Sequence, residues 1–456
     1  MKGLEKHKVF FIGIGGIGMS ALARWFNANG YEVVGYDKTA TTLTRKLMEE
    51  GIIVHYEDSL DLIPKEFNPE NSLVIFTPAI PKEHKQFNYF RSADFEIKKR
   101  AEVLGMISKT MYTVAVAGTH GKTTTSSMIA HILNESGVDT TAFLGGISSN
   151  LNSNLLLGKS KDSIAVIEAD EYDRSFLQLS PNIAIVTSAD PDHLDIYGDE
   201  AGMLESYIDF TKRLSQDGKL FVSTSAQAKL NSDNAILYGE NGLIRAENLR
   251  IEDNRYIIDY INESLRIEDI QLNLPGQHNL ENALAAITVA LELEVSPEHI
   301  KKALISFKGI KRRFEYIINE PELKFIDDYA HHPQEVSAFL QTLRTLYPEK
   351  YLQVIFQPHL FSRNQDFSVA FAESLSLADN VILMDIYPAR ELPIPGVTSG
   401  LILDKIDSKE KNLLAREEII DFVQATNPDV LATIGAGNID TLVPELNQSL
   451  TKSMTI

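Results

Sequence analysis

Short apolar runs recur along the chain, each closed by a glycine-rich or polar turn and followed by a stretch of helical period. Residues 8–14 read as a strand, Met19 to Asn29 as a helix and Glu32 to Tyr36 as a second strand. Further strands are expected at Gly51–His55 and Leu73–Phe76, then a helix at Ala101–Ser108 preceded by the basic triplet Lys98-Lys99-Arg100. A second block opens with strand Tyr112–Val116 and helix Ser126–Glu135, and continues with strands Ser163–Ile167 and Asn182–Ser188. Between 219 and 275 the alternating runs shorten, which predicts antiparallel strands appended to the main sheet. An alanine-rich helix follows from Gln277 to Leu293. The last block returns to the strand–helix rhythm, with strands at Lys324–Ile326, Tyr351–Phe356, Asn380–Asp385 and Val430–Ile434.

Strands alternating with helices predict parallel sheets, so the fold class is α/β in three domains. A Rossmann-like domain is expected at 1–108, a central P-loop ATPase-like sheet with a small antiparallel addition at 109–308, and a second Rossmann-like domain at 309–456. The length of 456 residues agrees, being too great for one ordinary core. A hydrophobic content of 44% with 23% charged residues is that of a soluble globular protein. The formal net charge of −20 argues against nucleic-acid partners, which require lysine and arginine on phosphates. There are no cysteines, which removes disulfides, zinc thiolates and cysteine nucleophiles. Lys2, Lys6 and Lys8 before Val9–Ala23 superficially resemble a signal peptide. Regular glycines break that run, and it stops at Arg24, short of the ~20 residues that span a bilayer. The expected location is the cytoplasm, with no membrane partner.

The chemistry lies in the turns. Ala117-Gly118-Thr119-His120-Gly121-Lys122-Thr123-Thr124 stands between a buried strand and a helix, the layout of a phosphate-binding loop. Its backbone N–H groups, from Gly118, Thr119 and Gly121 onward, suit phosphate oxygens; Lys122 suits the β- and γ-phosphates, and the Thr123 hydroxyl suits Mg²⁺. The strict spacing asks for glycine at 116, where this chain has valine. Gly13-Ile-Gly15-Gly16-Ile-Gly18, followed by a helix, a strand and Asp37, is a dinucleotide fingerprint open to NAD or to any diphosphate-containing nucleotide. Glu168 and His193 follow strands at the edge where such sheets bind ligands, and are candidates for holding Mg²⁺ or Mn²⁺. Asn279 and Asn282 lie three apart on one helix face, as cap or as ligand. Basic and histidine-rich turns punctuate the last block, at Lys311-Arg312-Arg313, at Asp327-Asp328-Tyr329-Ala330-His331-His332 and at Gln357-Pro358-His359-Leu360-Phe361-Ser362-Arg363.

Together these motifs resemble the ATP-dependent Mur ligases of peptidoglycan synthesis, from about residue 8 to residue 440. The carriers are GIGGIGMSALA (13–23), AGTHGKTTT (117–125), EADEYDRSF (168–176), DHLD (192–195) and PGQHNLEN (275–282). RRFE (312–315), DDYAHHP (327–333), FQPH (356–359), YPARE (387–391) and GAGN (435–438) complete the set. Within the family the motifs sit nearest the alanine-adding branch. The resemblance implies three substrates, ATP, UDP-N-acetylmuramate and L-alanine, with Mg²⁺ (or Mn²⁺) and a monomer or weak homodimer. Gly15, Gly16 and Gly18, with Asp37, would take the UDP end. Lys122 and Thr123 would hold ATP phosphates and metal, joined by Glu168 and His193. Asn279, Asn282, Arg313, Asp328 and Tyr329 would surround the adenosine, and His332 and Arg363 would face the amino acid, Arg363 its carboxylate. The implied reaction passes through an acyl phosphate, which a closing last domain would shield from water.

Some positions depart from the pattern. Leu360 stands where many relatives carry arginine, Ala330 replaces a frequent glycine and Asn438 a frequent aspartate. No lysine equivalent to the carbamylated one of sister ligases is evident around Tyr207–Phe210. Three other readings stay open: a ligase that reattaches a murein tripeptide to the same acceptor, an NAD-dependent oxidoreductase, and a noncatalytic nucleotide-binding regulator.

Overall fold

The computed structural model describes residues 6–78, 80–192, 194–252, 255–389 and 391–454. The chain packs as two compact units, one holding the residues up to 273 with 279–308, the other 274–278 with 309–456. The three-domain α/β reading holds, and the first two expected domains lie in one unit.

The first sheet is wholly parallel, in the order Ile53–His55, Glu32–Tyr36, Lys8–Ile12, Ser72–Phe76, Glu96–Lys99. Its middle strand, Val-Phe-Phe-Ile, is buried because helices cover both faces. Lys98 and Lys99 end the edge strand and Arg100 opens the next helix, so the basic triplet belongs to sheet and helix rather than to a loop. Asp37 accepts from the Gly15 N–H at 2.8 Å, pinning the first glycine turn to the end of the neighbouring strand, Glu32–Tyr36.

The central sheet orders Ile236–Tyr238, Lys219–Ser223, Ile183–Val186, Thr113–Ala117, Ile164–Glu168, Thr140–Ser148 and Ser153–Leu156; only the last strand is antiparallel. The expectation for 219–275 needs correction. Its first part supplies two parallel strands of the central sheet with a helix, Thr224–Leu230, between them. Arg245–Glu252, Arg255–Ile261 and Arg266–Leu272 form a separate antiparallel sheet, not an extension of the main one. Of this pair Lys219–Ser223 is an inner strand, buried from Leu220 to Ser223, and Ile236–Tyr238 is the sheet edge. The separate sheet packs on the alanine-rich helix Gln277–Glu292, where Tyr260 Oη and Thr288 Oγ1 are 3.1 Å apart.

The parallel first sheet and the central sheet are fastened by side chains of the first helix, Ile17–Ala28. Arg24 bonds Glu50 through two nitrogens, at 2.7 and 2.8 Å, and also bonds the Asn154 carboxamide oxygen. Asn154, fully buried, in turn donates to Ile17 O at 2.5 Å and to Ser20 Oγ at 2.9 Å. A buried carboxamide satisfied this way holds the glycine turn at a set position over the central sheet.

The second unit is built on a mixed sheet in the order Glu315–Asn319, Lys324–Asp328, Val430–Ile434, Leu352–Phe356, Asn380–Leu383, Glu410–Leu413, with only the first strand antiparallel. Its polar turns follow the carboxyl ends of the parallel strands, the edge at which such sheets bind ligands.

Candidate active site

The central strand Thr113–Ala117 is buried throughout, and the loop after it can turn sharply only through its glycines. Gly118 has φ +136°, and a Cβ there would sit 2.1 Å from Thr187 Oγ1 and 2.8 Å from Ser188 N. Gly121, at φ +82°, caps the helix Lys122–Glu135; its missing side chain leaves the first helical N–H groups facing the loop. Thr119 Oγ1 donates to Asp190 O at 2.7 Å, and the His120 N–H donates to Ser188 Oγ at 2.7 Å. The loop is therefore held from outside by the turn after the neighbouring strand, and its concave side is left to a ligand.

Lys122 Nζ folds back over the loop, donating to Gly118 O at 2.6 Å, Thr119 O at 3.2 Å and Glu171 Oε1 at 2.8 Å. Burial would depress this ammonium, but the charges of Glu171 and Glu168 outweigh it and hold its pKa above the ordinary lysine value. The Glu171 carboxyl is raised as well, by burial, against the pull of Lys122. Thr123 Oγ1 donates to Glu168 Oε1 at 2.9 Å, while Glu168 Oε2 accepts from the Gly145 N–H at 2.8 Å. Thr124 lies buried in the same first turn. Asn282 Oδ1 accepts from Thr125 Oγ1 at 3.0 Å, and its amide faces Asn279 Oδ1 at 3.4 Å. Both asparagines are buried against the loop helix. Lys122, Thr123, Glu168, Asn279 and Asn282 are thus brought together.

His193 lies outside the described residues. Among the described residues no group of three or more histidine, aspartate or glutamate side chains is arranged to hold a metal. Thr123 and Glu168 still offer two hard oxygen donors side by side, which fits an ion that draws its other ligands from phosphate and water. The helix Glu200–Thr211 contains no lysine, and Tyr207 is buried there.

Beside Glu168 opens a cavity of about 160 Å³, lined by Ile17, Gly18, Arg100, Gly145, Glu168 and Asp170 among others. It runs from the first glycine turn to the carboxylate that bonds Thr123. Arg100 Nη2 bonds Asp170 Oδ2 at 2.7 Å, and a Cβ on Gly18 would lie 1.9 Å from Arg100 Nη1. Gly18 is needed so that the guanidinium can lie over the turn. A basic triplet near the end of the first domain can face solvent or an anionic ligand, and Arg100 of that triplet lines the cavity. Nothing in the acidic run 168–173 singles out Glu171 until the fold points it at Lys122.

In the second unit, Asp328 accepts from the Phe314 N–H at 2.7 Å and the Ala330 N–H at 2.8 Å. Burial pushes its carboxyl up to about 6, against the pull of Arg313. The guanidinium groups of Arg312 and Arg313 lie over Tyr329, 5.2 and 5.7 Å from the ring centre. Arg312 is held by Asp327 at 3.0 Å and by Gly435 O at 2.5 Å, and both arginines are half-buried. His332 caps the helix Pro333–Leu346, its N–H donating to Glu335 Oε2 at 3.2 Å. Arg363 Nη1 reaches His331 O at 3.5 Å, and the His332 ring lies 5.1 Å from Phe367. His359 stacks on Tyr387 with ring centres 5.8 Å apart; burial, Arg363 and His331 together lower its pKa to about 4. Arg313, Asp328 and Tyr329 form one group in this unit, His332 and Arg363 another nearby through His331.

Three family profiles cover most of the chain: the Mur ligase family catalytic domain over residues 8–112, the Mur ligase middle domain over 116–290 and the Mur ligase glutamate ligase domain over 312–437. The UDP-N-acetylmuramate–L-alanine ligase of Flavobacterium psychrophilum is 52% identical over 446 residues, 97% of this chain and 98% of that protein. The ligase of the same name from Christiangramia forsetii is 48% identical over 453 residues, 99% of each. Among solved structures, the UDP-N-acetylmuramate–alanine ligase of Thermotoga maritima superposes with a TM-score of 0.83 at 29% identity, covering 98% of this chain and 99% of that one. With this match along its whole length, the chain belongs to the Mur ligase family.

Proposed function

We propose that this protein joins L-alanine to the lactyl carboxylate of UDP-N-acetylmuramate at the expense of ATP, as the relatives named above do. The observation that carries this reading is the cavity running from Gly18 to Glu168, beside the loop that holds Lys122 and Thr123. A substrate anchored by its diphosphate at Gly15, Gly16 and Gly18 then presents its far end to a phosphate in the loop.

The lactyl carboxylate attacks the γ-phosphorus of ATP, and the bond to the ADP oxygen breaks, giving an acyl phosphate. The L-alanine amine attacks the acyl carbon, and phosphate leaves carrying one former carboxylate oxygen. Carboxylate and triphosphate repel one another, so Lys122 and the N–H groups of the loop must offset that charge. Thr123 and Glu168 are suited to hold Mg²⁺, which when bound neutralises phosphate charge; His193 is assigned to the same task. Asn279 and Asn282 support the loop helix, and Arg313, Asp328 and Tyr329 are assigned to the adenosine. Arg363 is suited to the alanine carboxylate, and His332 to the amine, whose proton passes to it or to the leaving phosphate. We place the reaction in the cytoplasm, on a monomer or weak homodimer.

The rival within the fold is tripeptide reattachment, since a murein peptide ligase from Psychrobacter arcticus shares this fold at a TM-score of 0.68. ADP release with ATP, Mg²⁺ and UDP-N-acetylmuramate is measured against a panel of amino acids and the murein tripeptide. L-Alanine is expected to give the highest kcat/KM; equal or better turnover with the tripeptide would reverse the assignment.

A further inference from the structure

The reaction outlined above leaves one buried charge without a task. Glu171 is 3% exposed; its Oε1 meets Lys122 Nζ at 2.8 Å, and its Oε2 has no hydrogen-bond partner. Its own backbone is fixed, because Tyr197 Oη donates to Glu171 O at 2.5 Å. The Tyr207 phenol is also buried there, raised by burial first and then by the Glu171 charge.

An ammonium has three N–H donors, and Lys122 faces three acceptors: Gly118 O, Thr119 O and Glu171 Oε1. A phosphate can take a donor only by displacing one of them. The two carbonyls belong to a loop tied down by Thr187, Ser188 and Asp190. The Glu171 carboxylate is the exchangeable partner, and it carries the same sign of charge as the incoming phosphate.

We propose that Glu171 is a positioning residue that latches Lys122 in the nucleotide-free protein, and that a nucleotide phosphate binds by exchanging places with it. The proposal rests on the reading of Lys122 as a phosphate ligand. It makes the loop selective, because a ligand must supply enough favourable contact to uncouple a buried ion pair. Removing the charge of Glu171 while keeping its shape must therefore tighten nucleotide binding, whereas damage to the scaffold would loosen it.

The test is calorimetric titration of ADP with Mg²⁺ into the full chain, comparing wild type with Glu171→Gln, Glu171→Asp and Lys122→Ala, and with melting curves for each. Glu171→Gln is expected to bind ADP about tenfold more tightly, the scale of a charge-assisted hydrogen bond exchanged for a neutral one. Lys122→Ala is expected to bind more weakly. Unchanged or weaker binding by Glu171→Gln, with Lys122→Ala weakened, would overturn the latch and leave the loop assignment standing. Wild-type affinity in Lys122→Ala would overturn the loop assignment itself. Should Glu171→Gln fail to fold, Glu171→Asp decides: its carboxylate is withdrawn by one methylene, so tighter ADP binding supports the latch and unchanged or weaker binding overturns it.

Discussion

Glu168 separates the chemical role of this site from its architecture. Its two oxygens accept from Thr123 Oγ1 at 2.9 Å and from the Gly145 N–H at 2.8 Å. Glu168→Gln keeps both contacts if the new amide oxygen faces Gly145 and the threonine hydroxyl rotates to accept from the amide nitrogen. Only the charge is lost. Exchanging two charge-assisted bonds for neutral ones costs about 1 kcal/mol each, so the variant should fold with a melting temperature lowered by several degrees. Glu168→Ala strands the Gly145 N–H and should cost about 1–3 kcal/mol more. If Glu168 would hold Mg²⁺ beside Thr123, the glutamine variant loses about 100-fold or more in kcat and needs far more Mg²⁺ for half-maximal rate. Phosphate release with UDP-N-acetylmuramate, L-alanine and ATP across a Mg²⁺ series reads both quantities. A folded Glu168→Gln protein with kcat within about threefold of wild type and an unshifted Mg²⁺ dependence would refute the metal role.

Other outcomes follow from the same geometry. Lys122→Ala should lower kcat by about 1,000-fold while equilibrium binding of UDP-N-acetylmuramate stays near wild type, read by calorimetry. Gly118→Ala places a methyl 2.1 Å from Thr187 Oγ1 at φ +136°, and should cost about 2–4 kcal/mol and raise the KM for ATP, read by denaturant melts and initial rates. Arg363→Ala should raise the KM for L-alanine by about 10–100-fold with a smaller effect on ATP, read by steady-state kinetics. The folded-state pKa of His359 is about 4 against 6.5 for an ordinary histidine. The stability linked to it is whole above pH 6.5 and is lost as pH falls through about 4. Its imidazole NMR signals should titrate near that lower value and move upward in Arg363→Ala, since Arg363 is one cause of the depression.

The strand–turn–helix units were legible because buried parallel strands are short apolar runs, and their ends carry the glycines and acids that bind phosphate. Val430–Ile434 and Glu32–Tyr36 were placed to the residue. Thr140–Ser148 was missed, since its run holds two threonines and two glycines and its burial comes from the helices Lys122–Glu135 and Ile17–Ala28 packed on it. Glu96–Lys99 was missed as a strand because an edge strand tolerates charge. Asn279 and Asn282 are visible in the sequence as a pair on one helix face, but the placement of Asn282 against Thr125 depends on a contact 157 residues apart in sequence. Glu171, Arg100 and the Arg24–Asn154 clamp have the same character: nothing local marks them, and only the long-range fold brings their partners to them.

In the proposed reaction a carboxylate held at the first glycine turn is activated by phosphoryl transfer before alanine attacks. UDP-N-acetylmuramate carrying ¹⁸O in both oxygens of its lactyl carboxylate, turned over with ATP, Mg²⁺ and L-alanine, tests this order by mass spectrometry of the products. One ¹⁸O is expected in each released phosphate and one in the new amide, with ADP unlabelled. Unlabelled phosphate, or ATP consumption without the alanyl product, would contradict it.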